Sequence, residues 1–295
     1  MEVFFQALIN GIMLGGFYAV MVLGFSVIWG VMGVINLSHG EFVMLGAYLA
    51  WILNTQLGWE PVTTLIVVMP VMFVVGYVVQ RLLINLVVER PHLISLLVTF
   101  GLGIIIANLT KLKFSADPRQ VRSAYSGAIH LTDNLTLPVS KSIILIAALI
   151  MMTALYLFLQ KTRMGKSIRA AAQNKEAARI VGVEIKSVYA LTFAISIAIT
   201  GAAGALVAPT QAIFPFMGTP LTIKAFAITA LSGLGSIPGA LAGGMVLGLI
   251  EVFVATYVKG IGTNLGIVSS FVLLVVVLVA RPQGLFGGLK AAEEH

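Results

Sequence analysis

Between Gly30 and Glu41 the chain reads GVMGVINLSHGE, and four of its side chains can bind a solute or carry a proton: Asn36, Ser38, His39 and Glu41. They stand in an apolar region, where amide, imidazole and carboxylate groups are costly unless they face protein or a water-filled route. An imidazole and a carboxylate so placed suit ion or proton relay, and the four groups with Gly40 suit the lining or gate of a path. An ordinary interfacial helix cap would use the same residue types. Ser38 with Glu41 three residues on predicts a capping box, so a helix should start inside what hydropathy treats as one span.

A second interruption is expected in Ser232–Gly244, SGLGSIPGALAGG, where glycine and proline break a helix near Pro238. Two interrupted segments in matching halves suggest a duplicated fold with a central path. Gly235, Pro238 and Gly239 therefore join Asn36, Ser38, His39, Gly40 and Glu41 as path candidates. Glu251 is expected to be interfacial or hydrogen-bonded rather than a proton carrier.

The third notable stretch is polar. Lys161–Lys186 holds seven of the chain's 18 Lys and Arg, against Glu176 and Glu184. A basic segment between spans stays on the cytoplasmic side. Its alanines favour helix, Asn174 can cap a second short helix, and Gly182 is a natural stop. Two short helices outside the bilayer would make a docking surface; an ordinary basic loop that only sets topology is the alternative.

The elements that must position these residues follow from composition. The 295 residues are 59% hydrophobic and 10% charged, with mean hydropathy +1.04. Soluble domains carry roughly a quarter charged residues, so the fold class is all-α, a polytopic helical membrane protein of about 8–10 transmembrane segments with broken helices. Alternating ten-residue strands of a β-barrel are absent from the sequence pattern. The net charge of +7 reads as positive-inside bias, not nucleic-acid binding. The N-terminal stretch reads as a first span, not a removable signal peptide. Spans are expected near 3–28, 42–53, 62–83, 93–109, 142–159, 188–208 and 265–280, with an apolar run from Lys224, split at Pro238, between the last two. Gly11–Gly15 and Gly244–Gly248 are small-residue pairs suited to tight helix contact. Residues 111–140 read as an extracytoplasmic loop, 209–220 as a turn or re-entrant piece, and the tail from Arg281 as cytoplasmic. The whole chain, 1–295, reads as a single permease domain.

Enzyme motifs fail on spacing. Gly165-Lys166-Ser167 resembles a P-loop end, but position 160 is Gln160 where glycine is required. Gly101-Leu-Gly103 lacks a third glycine. The four histidines have no metal-ligand spacing, and there is no cysteine. No catalytic activity, cofactor or metal is expected in this chain.

Glu176-Ala177-Ala178, three residues, then Gly182 resembles the EAA loop of ABC importer permeases, although Thr192-Phe193-Ala194 stands where that pattern carries Ile-x-Leu-Pro. Three further stretches, Gly33–Glu41 with Met44-Leu45-Gly46-Ala47-Tyr48, Gly233–Ala240 and Arg281–Gly287, make the chain similar over nearly its whole length to LivH-type permeases of branched-chain amino acid ABC importers. The resemblance implies a coupling helix over Lys166–Gly182, with Lys166, Arg169, Asn174, Glu176, Ala177, Ala178 and Gly182 meeting an ATPase. It implies a second, LivM-type permease, two ATPase subunits that bind ATP and Mg, a periplasmic amino-acid-binding protein, and a bacterial inner membrane. Related permeases serve urea, short amides or other amino acids. From another class, a stand-alone ion-coupled transporter would use Glu41, His39 and Glu251.

Overall fold

The computed structural model describes residues 2–258 except 126, 133, 134 and 234, together with 268, 271, 272, 275–277 and 279. The last expected span lies mostly outside the described residues, and the tail from Arg281 entirely so. Six described helices are long and apolar enough to cross a membrane.

Two of them form the interior. In α1 (Glu2–Met32) and α9 (Ile185–Val207), 89% of the spanning window is buried, against 22–28% in α3 (Pro61–Val79), α5 (His92–Phe114) and α6 (Val139–Lys161). A helix apolar on every side is a pillar when protein surrounds it and an outer stave when lipid does. The pillars cross at Gly24, where a Cβ would strike the Ser196 carbonyl and the Thr200 hydroxyl. Without a hydrophobic drive between helices in lipid, such backbone approach is what holds them.

The two ends of the bundle are distinguished by what they carry. One end holds the antiparallel hairpin β1 (Ala128–Thr132) and β2 (Leu135–Pro138), tied to the start of α1 by Gln6, whose amide donates to the Thr136 carbonyl and accepts from its N–H. The other holds the basic helices α7 (Arg163–Gln173) and α8 (Lys175–Ile180). The expected loop 111–140 is shorter than anticipated. Lys111 and Lys113 belong to the last turn of α5, and α6 already starts at Val139.

α1 runs from the hairpin end to the basic end. Residues 33–38 then climb back without helix, and α2 (His39–Leu57) starts level with Met21 of α1 and finishes at the hairpin end. α9 runs the opposite way. Residues 208–217 dip back into the bundle, and α10 (Gly218–Ser232) starts against Gly40 and finishes at the basic end beside Gly30. Beyond Gly235 and Ser236, α11 (Ile237–Tyr257) packs along α1, Gly244 on Gly15 and Gly248 on Gly11. α3 packs along α9 in the same manner, Gly76 against Ala194 and Ile197. After α3, a π-helical turn, Gln80–Ile84, and α4 (Asn85–Val87) complete one continuous rod, Pro61–Val87.

Thus α1–α3 and α9–α11 are two copies of one unit running in opposite directions, each lending its third helix to the other's pillar. This is the arrangement of inverted-repeat transporters. It corrects the pairing of interruptions read from the sequence. The counterpart of Gly33–Ser38 is 208–217, with Pro209 and Pro215, rather than the break at Pro238. That second break exists, but it is the turn between α10 and α11, as Gly58–Glu60 is between α2 and α3.

Candidate functional site

The two half-helices meet N-terminus to N-terminus inside the bundle. A Cβ on Gly40 would overlap the Gly218 carbonyl, and one on Gly218 would crowd the Glu41 N–H. Thr222 stitches the junction: its hydroxyl accepts from the Gly40 N–H (2.8 Å) and donates to Glu41 Oε2 (3.4 Å). Thr219 donates to Glu41 Oε1 (3.1 Å). Glu41 is buried at 3% exposure, and among the described residues no Lys, Arg or His forms an ion pair with it.

The helix does start at His39, as the sequence predicts, but the capping box does not form. Asn36 takes Ser38 instead: its Oδ1 accepts from the Ser38 N–H (3.1 Å) and hydroxyl (2.7 Å). The physical reason is competition. A buried carboxylate draws the stronger hydroxyl donors of α10, and Ser38 is left to close an Asx turn. The ascending strand is pinned by Thr99 of α5, which accepts from the Leu37 N–H (3.1 Å) and donates to the Ile35 carbonyl (3.0 Å). His39 donates from Nε2 to the Met21 carbonyl (2.7 Å) and sits edge-on to Phe25. Its Nδ1 and the Asn36 amide nitrogen are buried without a hydrogen-bond partner.

Glu41 opens onto a cavity of about 250 Å³ between the start of α2, α5 and α10. Gly103 leaves the room: a Cβ there would touch the Glu41 carboxyl carbon at 3.5 Å. Phe100, Ile104, Phe216 and Ile223 line the cavity and are 45% or more exposed on the bundle's flank.

The structure separates the remaining path candidates from this junction. Gly235 packs on Gly30, and Gly235 and Pro238 line a different cavity, about 280 Å³, shared with Ile168 and Arg169 of α7. Ser236 caps α11 by accepting from the Gly239 N–H (3.0 Å). The glycine- and proline-rich turn therefore stands under the basic helices at one end of the bundle, not beside Glu41.

The basic element is built as its residue types predict. Thr162 caps α7, accepting from Gly165 N–H (2.9 Å), and Gly165 allows the α6–α7 corner, since a Cβ would meet the Phe158 carbonyl. Asn174 caps α8 through the Ala177 N–H (2.9 Å), and Gly182 ends it at φ +87°. Asn174→Ala should cost about 1 kcal/mol of local helix stability, read as faster amide exchange in α8. Lys166, Glu176 and Ala177 are exposed, whereas Ala178 is buried. Arg169 does not point outward: its Nε donates to the Leu159 carbonyl (3.0 Å) at the end of α6, so it braces the element. Arg179 reaches Glu89 and Glu176 at 3.5 Å each, tying α8 to the α4–α5 turn.

Sequence reasoning missed two features. Ile180 and Val181, 86% and 76% exposed, are apolar residues projecting from a basic loop; their place just before Gly182 was the available signal. Lys224 of α10 pairs with Glu251 of α11 (2.8 Å), and Tyr18 of α1 accepts from Lys224 (2.6 Å) and donates to Glu251 (2.7 Å). No spacing links three residues so far apart.

Residues 7–280 match the family described as branched-chain amino acid transport system / permease component. The chain is 31% identical over 297 residues to the high-affinity branched-chain amino acid transport system permease protein LivH of Escherichia coli (strain K12), covering 96% of both. It is 29% identical, with the same coverage, to the high-affinity branched-chain amino acid transport system permease protein BraD of Pseudomonas aeruginosa. Its backbone is similar, at TM-score 0.48 and 12% identity, to the solved structure of PsaBC from Streptococcus pneumoniae in complex with Fab, over 96% of this chain and 93% of that one. With helices of membrane-spanning length around two broken segments and a family match across nearly the whole chain, this multi-pass membrane protein belongs to the branched-chain amino acid transport permease family.

Proposed function

We propose that the chain is one permease of an ATP-driven importer in a bacterial inner membrane, taking up branched-chain amino acids delivered by a periplasmic binding protein. The observation that carries this reading is the α7–α8 element: two capped helices bearing an exposed apolar knob, Ile180 and Val181, on a basic surface. Exposed apolar residues framed by polar ones mark protein contacts. In this reading the basic end is cytoplasmic, the knob seats in an ATPase subunit, and ATP and Mg are bound there. α7 passes the stroke to Gly235 and Ser236 through the cavity that they line together. A second, LivM-type permease covers the flank bearing Phe100, Ile104, Phe216 and Ile223. That flank carries Glu41 in a recess and Asn108 on its surface, polar groups that fit a protein neighbour better than lipid.

The test is co-purification from native membrane in gentle detergent. Changing Ile180 and Val181 to serine, or Glu176 and Gly182 to residues that break the element, should cut ATPase recovery at least tenfold. The serine variants alter exposed side chains, so permease stability should move by less than about 0.5 kcal/mol. Undiminished ATPase recovery from all variants would overturn the coupling role. The ion-coupled alternative draws less support, because Glu251, one of the carboxylates it would use, is paired with Lys224.

A further inference from the structure

We infer that the Glu41 cavity is itself an amino-acid site, in which the Glu41 carboxylate receives the substrate's ammonium and the α5–α10 wall holds its aliphatic side chain. This deepens the proposed function and rests on it. Four observations carry it.

The carboxylate is buried in a bundle where burial of charge is costly, yet its partners are two threonine hydroxyls on its α10 side. Glu41, Thr219 and Thr222 all line the cavity. A carboxyl at that depth, with no Lys, Arg or His paired to it among the described residues, suits a cation that comes and goes.

The cavity is of the right size and polarity. About 250 Å³ equals roughly eight water volumes of ~30 Å³ each, enough for a small amino acid. Phe100, Ile104, Phe216 and Ile223 offer an apolar wall for a branched side chain, while Asn108, whose amide donates one N–H to the Ile104 carbonyl, retains polar capacity for the substrate carboxylate.

A metal ion fits poorly. A hard divalent cation wants six or more oxygens or several carboxylates, and among the described residues no group of three His, Cys, Asp or Glu converges. A primary ammonium has three donors, which one carboxylate and flanking hydroxyl oxygens can accept.

The site also sits where it can be switched. Glu41 belongs to α2 and its threonine partners to α10, the two half-helices of opposite repeats. Any shift of α10 against α2 opens or closes the grip.

The test uses the importer assembled with its partner subunits in lipid nanodiscs, treated with a hydrophobic carbodiimide that modifies buried carboxyl groups. Labelling of Glu41 is read by peptide mass spectrometry. Millimolar leucine should slow labelling several-fold, and 4-methylpentanoate, which has leucine's skeleton without the ammonium, should not. Equal protection by both, or by neither, overturns the inference. A second arm measures leucine uptake in vesicles. Glu41→Gln should reduce it at least tenfold while the subunits still co-purify, and Glu41→Asp should keep part of it. Parental uptake by Glu41→Gln overturns the inference, and should Glu41 resist the reagent, this arm alone decides. If the parent importer takes up no leucine, it is the proposed function that fails, a different result from a parent that transports and a variant that transports equally well.

Discussion

Lys224→Met is expected to destabilise the protein by about 3–5 kcal/mol, the cost typical of removing one member of a buried ion pair. The side chains of Lys224 and Glu251 are only 13% and 14% exposed, so water can replace little of the lost partner. Glu251→Gln should cost a similar amount, since it leaves the Lys224 ammonium with an amide and the Tyr18 hydroxyl. The double change Lys224→Met with Glu251→Gln should recover most of the loss, because replacing a whole buried pair is often neutral. The measurement is a double-mutant cycle on thermal or denaturant unfolding in one detergent. Additive effects, with no coupling above about 0.5 kcal/mol, would show that the pair does not bind α10 to α11. The interaction joins a half-helix to the pillar α1 and to α11 packed along it, so it also limits how far α10 can move as a unit.

The second large effect is steric. Gly40→Val should abolish leucine uptake and lower stability by about 3 kcal/mol, the upper end for overpacking. The added atoms would meet the Gly218 backbone, and a helix N-terminus cannot rotate aside as a side chain can. The matched control is Gly101→Val, at a position where a Cβ meets nothing within 4 Å; it should leave folding intact apart from helix propensity. If Gly40→Val transports like the parent, the N-termini of α2 and α10 do not meet as closely as the geometry requires. Gly182→Ala belongs to a milder class, since its φ of +87° costs strain without any clash.

Both effects show where the reading of the chain succeeded and where it stopped. The interruption before Glu41 was legible because a helix-starting serine and sudden polarity in an apolar run are local signals. So was the break before Pro238, and so were the caps at Asn174 and Gly182, where the residue needed for a backbone conformation stands at the position that needs it. The capping box failed for a reason outside the segment: Thr219 and Thr222, 178 and 181 residues further on, bind the carboxylate that the box would have used. The equivalence of 208–217 with Gly33–Ser38 was hidden because the two stretches share a place in the fold, not residues. One is a non-helical segment closed by an Asx turn, and the other is shaped by Pro209 and Pro215. The resemblance placed Arg169 among the residues that meet an ATPase, yet the α6–α7 corner turns it back onto the Leu159 carbonyl.

By itself, then, the sequence determined the membrane class, the interruption before Glu41, the break before Pro238 and the paired basic helices. Each depends on composition or on neighbours within a few residues, and those are written in order along the chain. Only the tertiary structure decided that α1–α3 and α9–α11 are inverted copies, that Glu41 is gripped by α10 and opens onto a cavity beside Gly103, and that Lys224, Glu251 and Tyr18 converge. Those outcomes depend on which glycines let two backbones touch, and close approach between distant segments is a property of the packed bundle that no spacing in the chain encodes.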